Sequence, residues 1–176
     1  MNSIRQSHEN LTLIGMPASG KSTCGKRLAS KLNWNYIDLD VLMEDSQQVP
    51  LKQIRQQMSI EEFLEFEASF ALQVTGSKQI ISPGGSLVYS KAAMEHLRSI
   101  GKIVGLIVDP QILLQRIPDL KARGVVIRPE QTFFDVAQER HQLIEQYADA
   151  VLQTDDWTIE QTVDTIHSWL IEQLSL

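Results

Sequence analysis

The sequence predicts an α/β protein: a five-stranded parallel sheet with helices on both faces, a three-layer α/β/α, doubly wound domain. Two observations predict it. Short apolar runs that read as buried strands alternate with longer segments of helical period, the pattern of a parallel sheet covered by helices. The polar motifs able to carry chemistry follow directly on those runs, at the strand ends where such sheets bind their ligands. A chain of 176 residues has the length of one domain with one core, so residues 1–176 are read as a single unit.

Leu11–Ile14 is the first strand, an apolar run closed by Gly15. A helix over 21–32 follows, then Asn35–Asp38 as the second strand, ending in acidic residues. Short helical turns are expected between 40 and 57. The helix expected over 59–76 carries Phe63, Phe66 and Phe70 at helical spacing, which reads as core packing. Gln79–Ile81 is the third strand, closed by Ser82-Pro83-Gly84-Gly85. A helix over 90–100 leads to the fourth strand, Ile103–Val108, and helices over 110–117 and 131–147 lead to the fifth, Ala150–Gln153. A last helix covers 158–174, with Trp157 and Trp169 read as packing residues. Between 118 and 131 two prolines and a glycine break the periodicity, and Lys121, Arg123 and Arg128 make the stretch basic. In this setting it reads as a lid that closes over a ligand and excludes water.

Hydrophobic content of 43% and charged content of 22% are ordinary for a soluble globular chain. The formal charge of −6 leaves no electrostatic footprint for nucleic acid or an anionic membrane. No apolar run approaches the roughly 20 residues of a membrane span, and Met1 to Asn10 is too polar for a signal-peptide core. A cytoplasmic monomer is expected. The single cysteine, Cys24, cannot form an internal disulfide and reads as a small packing residue. Histidines at 8, 96, 141 and 167 lack metal-ligand spacing and support no zinc site.

The most informative string is Gly15-Met16-Pro17-Ala18-Ser19-Gly20-Lys21-Ser22. It fits the phosphate-binding loop G-x-x-x-x-G-K-[ST] at every fixed position, between a strand and a helix. Backbone N–H groups opening onto a helix N-terminus offer donors and a favourable dipole to a nucleotide's phosphates. The phosphates are assigned to Gly15, Ala18, Ser19, Gly20, Lys21, Ser22 and Thr23, with Lys21 reaching the β/γ-phosphates and the Ser22 hydroxyl ligating Mg²⁺. Asp38 and Asp40 stand two residues apart; read on an extended chain, they point the same way. Asp38 is assigned to Mg²⁺ and Asp40 to an acceptor hydroxyl, the alternative being that one of them caps the next helix. Gly84 and Gly85 read as a place of close approach between backbone and ligand. Arg116 and Arg123 bracket the start of the basic segment, Arg123 assigned to the phosphates and Arg116 to the base. For Arg140, beside Glu139 in a helix, an exposed salt bridge is the plain alternative.

These residues resemble the shikimate kinase family, small phosphate-loop kinases of the nucleoside-monophosphate-kinase type. The likeness runs from Gly15 to about Trp169 and includes Tyr-Ile-Asp-Leu-Asp at 36–40, Gly84-Gly85, the arginines at 116 and 123, and Glu139-Arg140 leading into Tyr147-Ala148-Asp149. The resemblance implies a P-loop kinase fold with a five-stranded core, an acceptor-binding subdomain over about 38–75, a lid over about 118–131, and ATP and Mg²⁺ as cofactors. It implies transfer of the γ-phosphoryl group to a hydroxyl of shikimate, a step of aromatic amino acid biosynthesis. Asp40 would orient that hydroxyl, Gly84 and Gly85 would line the acceptor pocket, and Arg140 would pair with the acceptor carboxylate.

Three departures fall on the acceptor side. Where the family has Phe-Arg-x-x-Glu, with its arginine on the acceptor carboxylate, this chain has Phe63-Leu64-Glu65-Phe66-Glu67. The usual third glycine is Ser86, and the lid's Arg-Pro-Leu-Leu is Arg123-Gly124-Val125-Val126. Arg55 stands where the family has an aromatic residue facing the acceptor, so its guanidinium could take over the contact that Leu64 cannot make. Two other readings remain open at this point: a related kinase of another small hydroxy acid or polyol, and a nucleotide-binding regulatory module without catalysis.

Overall fold

The computed structural model describes residues 9–117, 119 and 125–174. Five parallel strands form one sheet in the order β2-β3-β1-β4-β5. They are β1 (Asn10–Gly15), β2 (Asn35–Asp38), β3 (Gln79–Ser82), β4 (Gly101–Ile107) and β5 (Ala150–Gln153). The helices are α1 (Lys21–Leu32), α2 (Leu39–Gln47), α3 (Leu51–Gln57), α4 (Ile60–Leu72), α5 (Lys91–Ile100), α6 (Pro110–Arg116), α7 (Phe133–Tyr147) and α8 (Ile159–Leu174).

The sheet is covered on both faces because its strands alternate. Ile80, Val104 and Leu106 pack with Leu11 and Leu13 against α1 and α8, where Cys24, Leu28, Val163, Ile166 and Leu170 are buried. Their neighbours Ile81, Ile103 and Ile107 join Ile14 in the opposite layer, against α4, α5 and α7 through Ala71, Leu97 and Ile144. Successive residues of a strand face opposite sides, so a run apolar on both sides is stable only between two helical layers. A smaller core of Met43, Ile54, Phe63 and Val126 holds α2, α3 and α4 together.

β1 is central, with Asn10 to Gly15 registered on Gly101 to Leu106 of β4 and Leu11 and Thr12 on β3. The chain therefore crosses to either side after β1, and the ends of β1, β2 and β3 open on one crevice. Cys24 is buried and its thiol is pushed up to about 11, chiefly by burial, which makes it inert, in keeping with a packing role.

Three expectations need correction. The helix expected over 59–76 ends at Leu72, and Gly76 (φ 98°) and Lys78 (φ 58°) beyond it adopt left-handed conformations that no α-helix continues through. β4 begins two residues early, since Gly101 pairs with Asn10. Trp157 is 38% exposed rather than packed, whereas Trp169 does pack under the α1–α8 layer.

Buried Asn10 ties this turn to the sheet. Its Nδ2 donates to the Gly76 carbonyl at 2.9 Å and its Oδ1 accepts from the Gln79 N–H at 3.0 Å. Asn10→Ala should lower unfolding free energy by about 1–3 kcal/mol, the cost of stranding these partners; urea denaturation measures it, and a loss near zero would show that the turn docks without them.

Candidate active site

The phosphate loop begins where β1 ends. A Cβ on Gly15 would meet the Leu106 carbonyl at 2.7 Å and the Ser19 hydroxyl at 2.6 Å, so only glycine lets the loop fold back over β4. Ala18 (φ 66°) and Gly20 (φ 92°) are left-handed, curling the chain into the start of α1. The first helical bond runs from the Cys24 N–H to the Gly20 carbonyl. The amides before it, those of Lys21, Ser22 and Thr23, face outward from the helix end and remain as donors for an anion. Lys21, 8% exposed, donates from Nζ to the Met16 carbonyl at 3.3 Å, which holds it across the loop.

A cavity of about 460 Å³ opens beside this loop. Its lining includes Lys21, Ser22 and Asp38 next to the loop, together with Asp40, Phe63, Glu67, Gly84, Gly85, Arg140, Val125 and Val126. Of the residues singled out from the sequence, Lys21, Ser22, Asp38, Asp40, Gly84, Gly85 and Arg140 thus meet in one cavity.

The reason given for the two aspartates was wrong, although both reach the cavity. Asp38 closes β2, but Asp40 lies in the first turn of α2. Asp38 is also the helix cap: its Oδ1 accepts from the Asp40 N–H at 3.2 Å and its Oδ2 from the Tyr36 hydroxyl at 3.0 Å. The two bonds fix the carboxylate and leave further lone pairs on each oxygen. Among the described residues no cluster of three or more His, Cys, Asp or Glu exists, so side chains alone make no metal cage. One carboxylate and the Ser22 hydroxyl at a phosphate loop do fit Mg²⁺, a hard cation that keeps several waters and takes further oxygens from phosphate.

Arg140 is 1% exposed, which rules out the exposed salt bridge, and no ion pair among the described residues includes it. Its Nη2 donates to the Val126 carbonyl at 3.0 Å, its Nε to the Tyr89 hydroxyl at 3.5 Å, and its guanidinium lies 5.3 Å from the Tyr89 ring centre. Tyr89 is held in turn by donating to Glu139 at 3.0 Å. The Nη1 end approaches the point a Gly85 Cβ would occupy at 3.2 Å, so the missing side chain lets the cation stand at the cavity wall.

Glu67 was quoted from the sequence without a role, and it is the functional candidate that reading missed. It sits one helical turn after Phe63 on the buried face of α4, and an acid on an apolar face was the available signal. The side chain is 1% exposed, and the Ser86 hydroxyl donates to its Oε2 at 2.5 Å. Burial pushes its carboxyl from 4.5 up to about 7; Asp40 adds to the rise, while the Ser86 bond, Arg140 and Lys21 oppose it.

Arg55 does not line the cavity as it stands. Its guanidinium lies 4.7 Å from the ring centre of Phe63, which does. Its buried Nε has no hydrogen-bond partner, and burial lowers its pKa, with Glu67 and Arg140 near enough to act on it electrostatically. Leu64 is not part of the wall. Arg116 donates to the Ala18 carbonyl at 3.4 Å, at the rim of the phosphate loop. Arg123 lies outside the described residues.

The comparisons with known proteins agree with this geometry. The family model described as shikimate kinase matches residues 17–171. The chain belongs to the shikimate kinase family. A shikimate kinase of Caldanaerobacter subterraneus subsp. tengcongensis is 29% identical over 161 residues, covering 90% of this chain and 94% of that one. Another, of Alkaliphilus oremlandii, is 32% identical over 69% of this chain and 70% of its own length. Among solved structures, shikimate kinase from Acinetobacter baumannii in complex with shikimate superposes with a TM-score of 0.85 over 96% of both chains at 23% identity, a likeness of fold. As a member of this family the chain is a phosphotransferase acting on a hydroxyl, with ATP as phosphate donor. No helix among the described residues is long and apolar enough to cross a membrane.

The raised Glu67 carboxyl has a stability consequence. Unfolded, the group ionises near its ordinary 4.5, whereas in the fold it holds its proton up to about 7. Stability therefore falls as pH rises through that window and is level above it. Glu67→Gln removes the penalty: its stability relative to the parent should improve by up to about 3 kcal/mol between roughly pH 4.5 and pH 8. Urea denaturation at both pH values checks this, and an unchanged difference would mean that the carboxyl is not perturbed.

Proposed function

We propose that this chain transfers the γ-phosphoryl group of ATP to a ring hydroxyl of shikimate, giving shikimate 3-phosphate, and that it does so as a cytoplasmic monomer. The observation that carries the reading is the meeting, in one cavity, of Lys21 and Ser22 of the phosphate loop with Asp40 and Arg140.

The phosphates rest on the backbone amides of Ala18 to Thr23, with Gly15 and Gly20 giving room, and Arg116 at the rim lies toward the base. The acceptor hydroxyl, oriented by Asp40, attacks the γ-phosphorus in line. A new P–O bond forms as the bond from that phosphorus to the β–γ bridging oxygen breaks; ADP leaves with the electron pair, and the hydroxyl proton passes to Asp40. Phosphoryl transfer is mostly positioning and charge stabilisation, so little more is asked of the protein. Lys21 counters negative charge on the transferred group, and Arg123 is assigned the same task from the family resemblance. Mg²⁺, held by Ser22 and Asp38, would neutralise charge on the β- and γ-oxygens.

The acceptor's carboxylate lies against Arg140 at Gly84 and Gly85, and Arg55 swings from the Phe63 ring to join it. Two cations that repel one another, beside a Glu67 carboxyl that burial has pushed up to about 7, favour an anion near them. Residues 38–75 form the acceptor-binding part and 118–131 the lid, a reading supported by Val125 and Val126 at the cavity wall.

A coupled assay of ADP release across a panel of hydroxy acids and polyols tests the activity. Turnover is expected with shikimate, and Lys21→Met should lower kcat at least about 10²–10³-fold with an unchanged melting temperature. Turnover of another alcohol in place of shikimate would assign this chain to a related kinase; strong transfer by the Met variant would refute the loop's role.

Arg55→Ala should raise the acceptor's KM about tenfold or more, the worth of one charge-assisted bond, and leave the KM for ATP unchanged. An unaltered acceptor KM would remove Arg55 from the site.

A further inference from the structure

The hydroxyls of Ser22, Tyr36 and Ser82 meet the Asp38 carboxylate where the phosphate loop, β2 and β3 converge, and Tyr36 and Ser82 have no part in the chemistry above. Asp38 stands opposite Ser82 in the register of β2 on β3, as Tyr36 stands opposite Ile80 two residues earlier. Ile80 and Tyr36 pack in the layer beneath α1, so the strand period of two sends Asp38 and Ser82 to the same face. The first turn of α1 brings Ser22 to them: its Oγ lies 3.4 Å from that of Ser82, which is 1% exposed. The Tyr36 hydroxyl donates to Asp38 Oδ2 at 3.0 Å and also interacts with the side chains of Ser82 and Ser22. The Tyr36 ring has a seat shaped for it. A Cβ on Gly25 of α1 would stand 2.8 Å from Tyr36 Cε2, so the missing side chain lets the ring lie against the helix and carry its hydroxyl to the end of β2.

We infer that Tyr36 and Ser82 are positioning residues of the metal–nucleotide end, joining the Ser22 hydroxyl to the Asp38 carboxylate through one directed hydrogen-bond chain that runs Ser22, Ser82, Tyr36, Asp38. The inference rests on the kinase reading above, in which Ser22 and Asp38 hold Mg²⁺. A hydroxyl has one proton and two lone pairs. For Ser22 to offer a lone pair to a cation its proton must turn away, and the Ser82 oxygen is an acceptor within reach. Ser82 then directs its own O–H to the Tyr36 oxygen, and Tyr36 directs its O–H to Asp38. An ionised carboxylate accepts and cannot donate, so the chain has one direction, and each bond polarises the next. Two oxygen ligands tied in this way are aimed before a cation arrives. Groups that orient metal ligands are worth about 10–100-fold in metal affinity.

The test reads metal binding directly, as the Kd of Mn²⁺ for the protein–ADP complex from the EPR signal of free Mn²⁺. It compares the parent with Tyr36→Phe, Ser82→Ala and the double variant, and takes Asp38→Asn as the reference for a lost ligand. Tyr36→Phe keeps the ring on Gly25 and removes only the hydroxyl. Each single variant should weaken Mn²⁺ binding about tenfold. Both substitutions break the same chain, so the double variant should lose no more than about threefold beyond either single one, not about a hundredfold in all. Affinity for ADP without metal should not move, and the Mg²⁺ concentration for half-maximal phosphoryl transfer should rise in step with the Mn²⁺ Kd. Parent-like Mn²⁺ affinity in either single variant overturns the inference. Additive losses overturn it too, since they mean two independent supports rather than a chain, as does an equal loss of metal-free ADP affinity, the mark of a damaged loop. Should Tyr36→Phe fail to fold, Ser82→Ala decides alone, and an unchanged Mn²⁺ Kd there overturns the chain. If Asp38→Asn weakens Mn²⁺ binding while the hydroxyl variants do not, the inference alone fails; if Asp38→Asn also binds Mn²⁺ like the parent, the metal assignment of the kinase reading fails and the inference falls with it.

Discussion

The difficulty of burying charge organises this site. Glu67 and Arg140 are each 1% exposed, and no ion pair among the described residues joins either to an opposite charge. Charges removed from water without partners are expensive, and the fold answers differently for each. Glu67 keeps its proton to about 7. Arg140 stays charged and spreads its guanidinium over the Val126 carbonyl, the Tyr89 hydroxyl and the Tyr89 ring. The acceptor end thus keeps a buried cation, Arg140, at the cavity wall beside Asp40, and the phosphate end presents Lys21 and the start of α1. A substrate pair carrying phosphates on one molecule and a carboxylate on the other neutralises both ends.

The sheet was legible in the sequence because its strands are buried on both sides. Leu11–Ile14 and Ile103–Val108 leave no polar face to suggest an edge, and the helical segments between them dictate parallel pairing. Legibility failed where backbone conformation rather than side-chain pattern decides. The apolar period of α4 runs on toward residue 76, but the helix ends at Leu72 and the chain turns through left-handed Gly76 and Lys78. That turn is anchored by Asn10, 66 residues away in sequence, a contact that no local pattern reveals.

For the site, the phosphate loop was readable because its spacing is the geometry: glycine where the chain meets β4, lysine on the first turn of the helix. Asp40 was found for an incomplete reason, since the chain has already turned into α2 there. Glu67 went unread because its meaning depends on Ser86, 19 residues on, and on the burial that raises its pKa. Arg55 shows the limit from the other side. Its type and position suggested an anion site, but its orientation over Phe63 is set by packing of α3 on α4 and had to be seen.

The two ends of the cavity hang on different parts of the fold, and this fixes where specificity can change. The nucleotide end hangs on β1, which is hydrogen-bonded to β3 and β4. The acceptor end hangs on α2, α3 and α4, held by a small core of Met43, Ile54, Phe63 and Val126. Val126 belongs to the stretch between α6 and α7, yet its side chain packs in that acceptor core while its carbonyl holds Arg140. Any displacement of this stretch therefore shifts the wall at Phe63 and the partner of Arg140 together. By linkage, a ligand that engages Arg140 must bias the stretch as strongly as the stretch biases the ligand's affinity. The departures at Leu64, Ser86, Val125 and Val126 fall in or beside this acceptor half, and the phosphate loop has none, so the chain could alter its grip on the acceptor without disturbing the chemistry at the phosphorus.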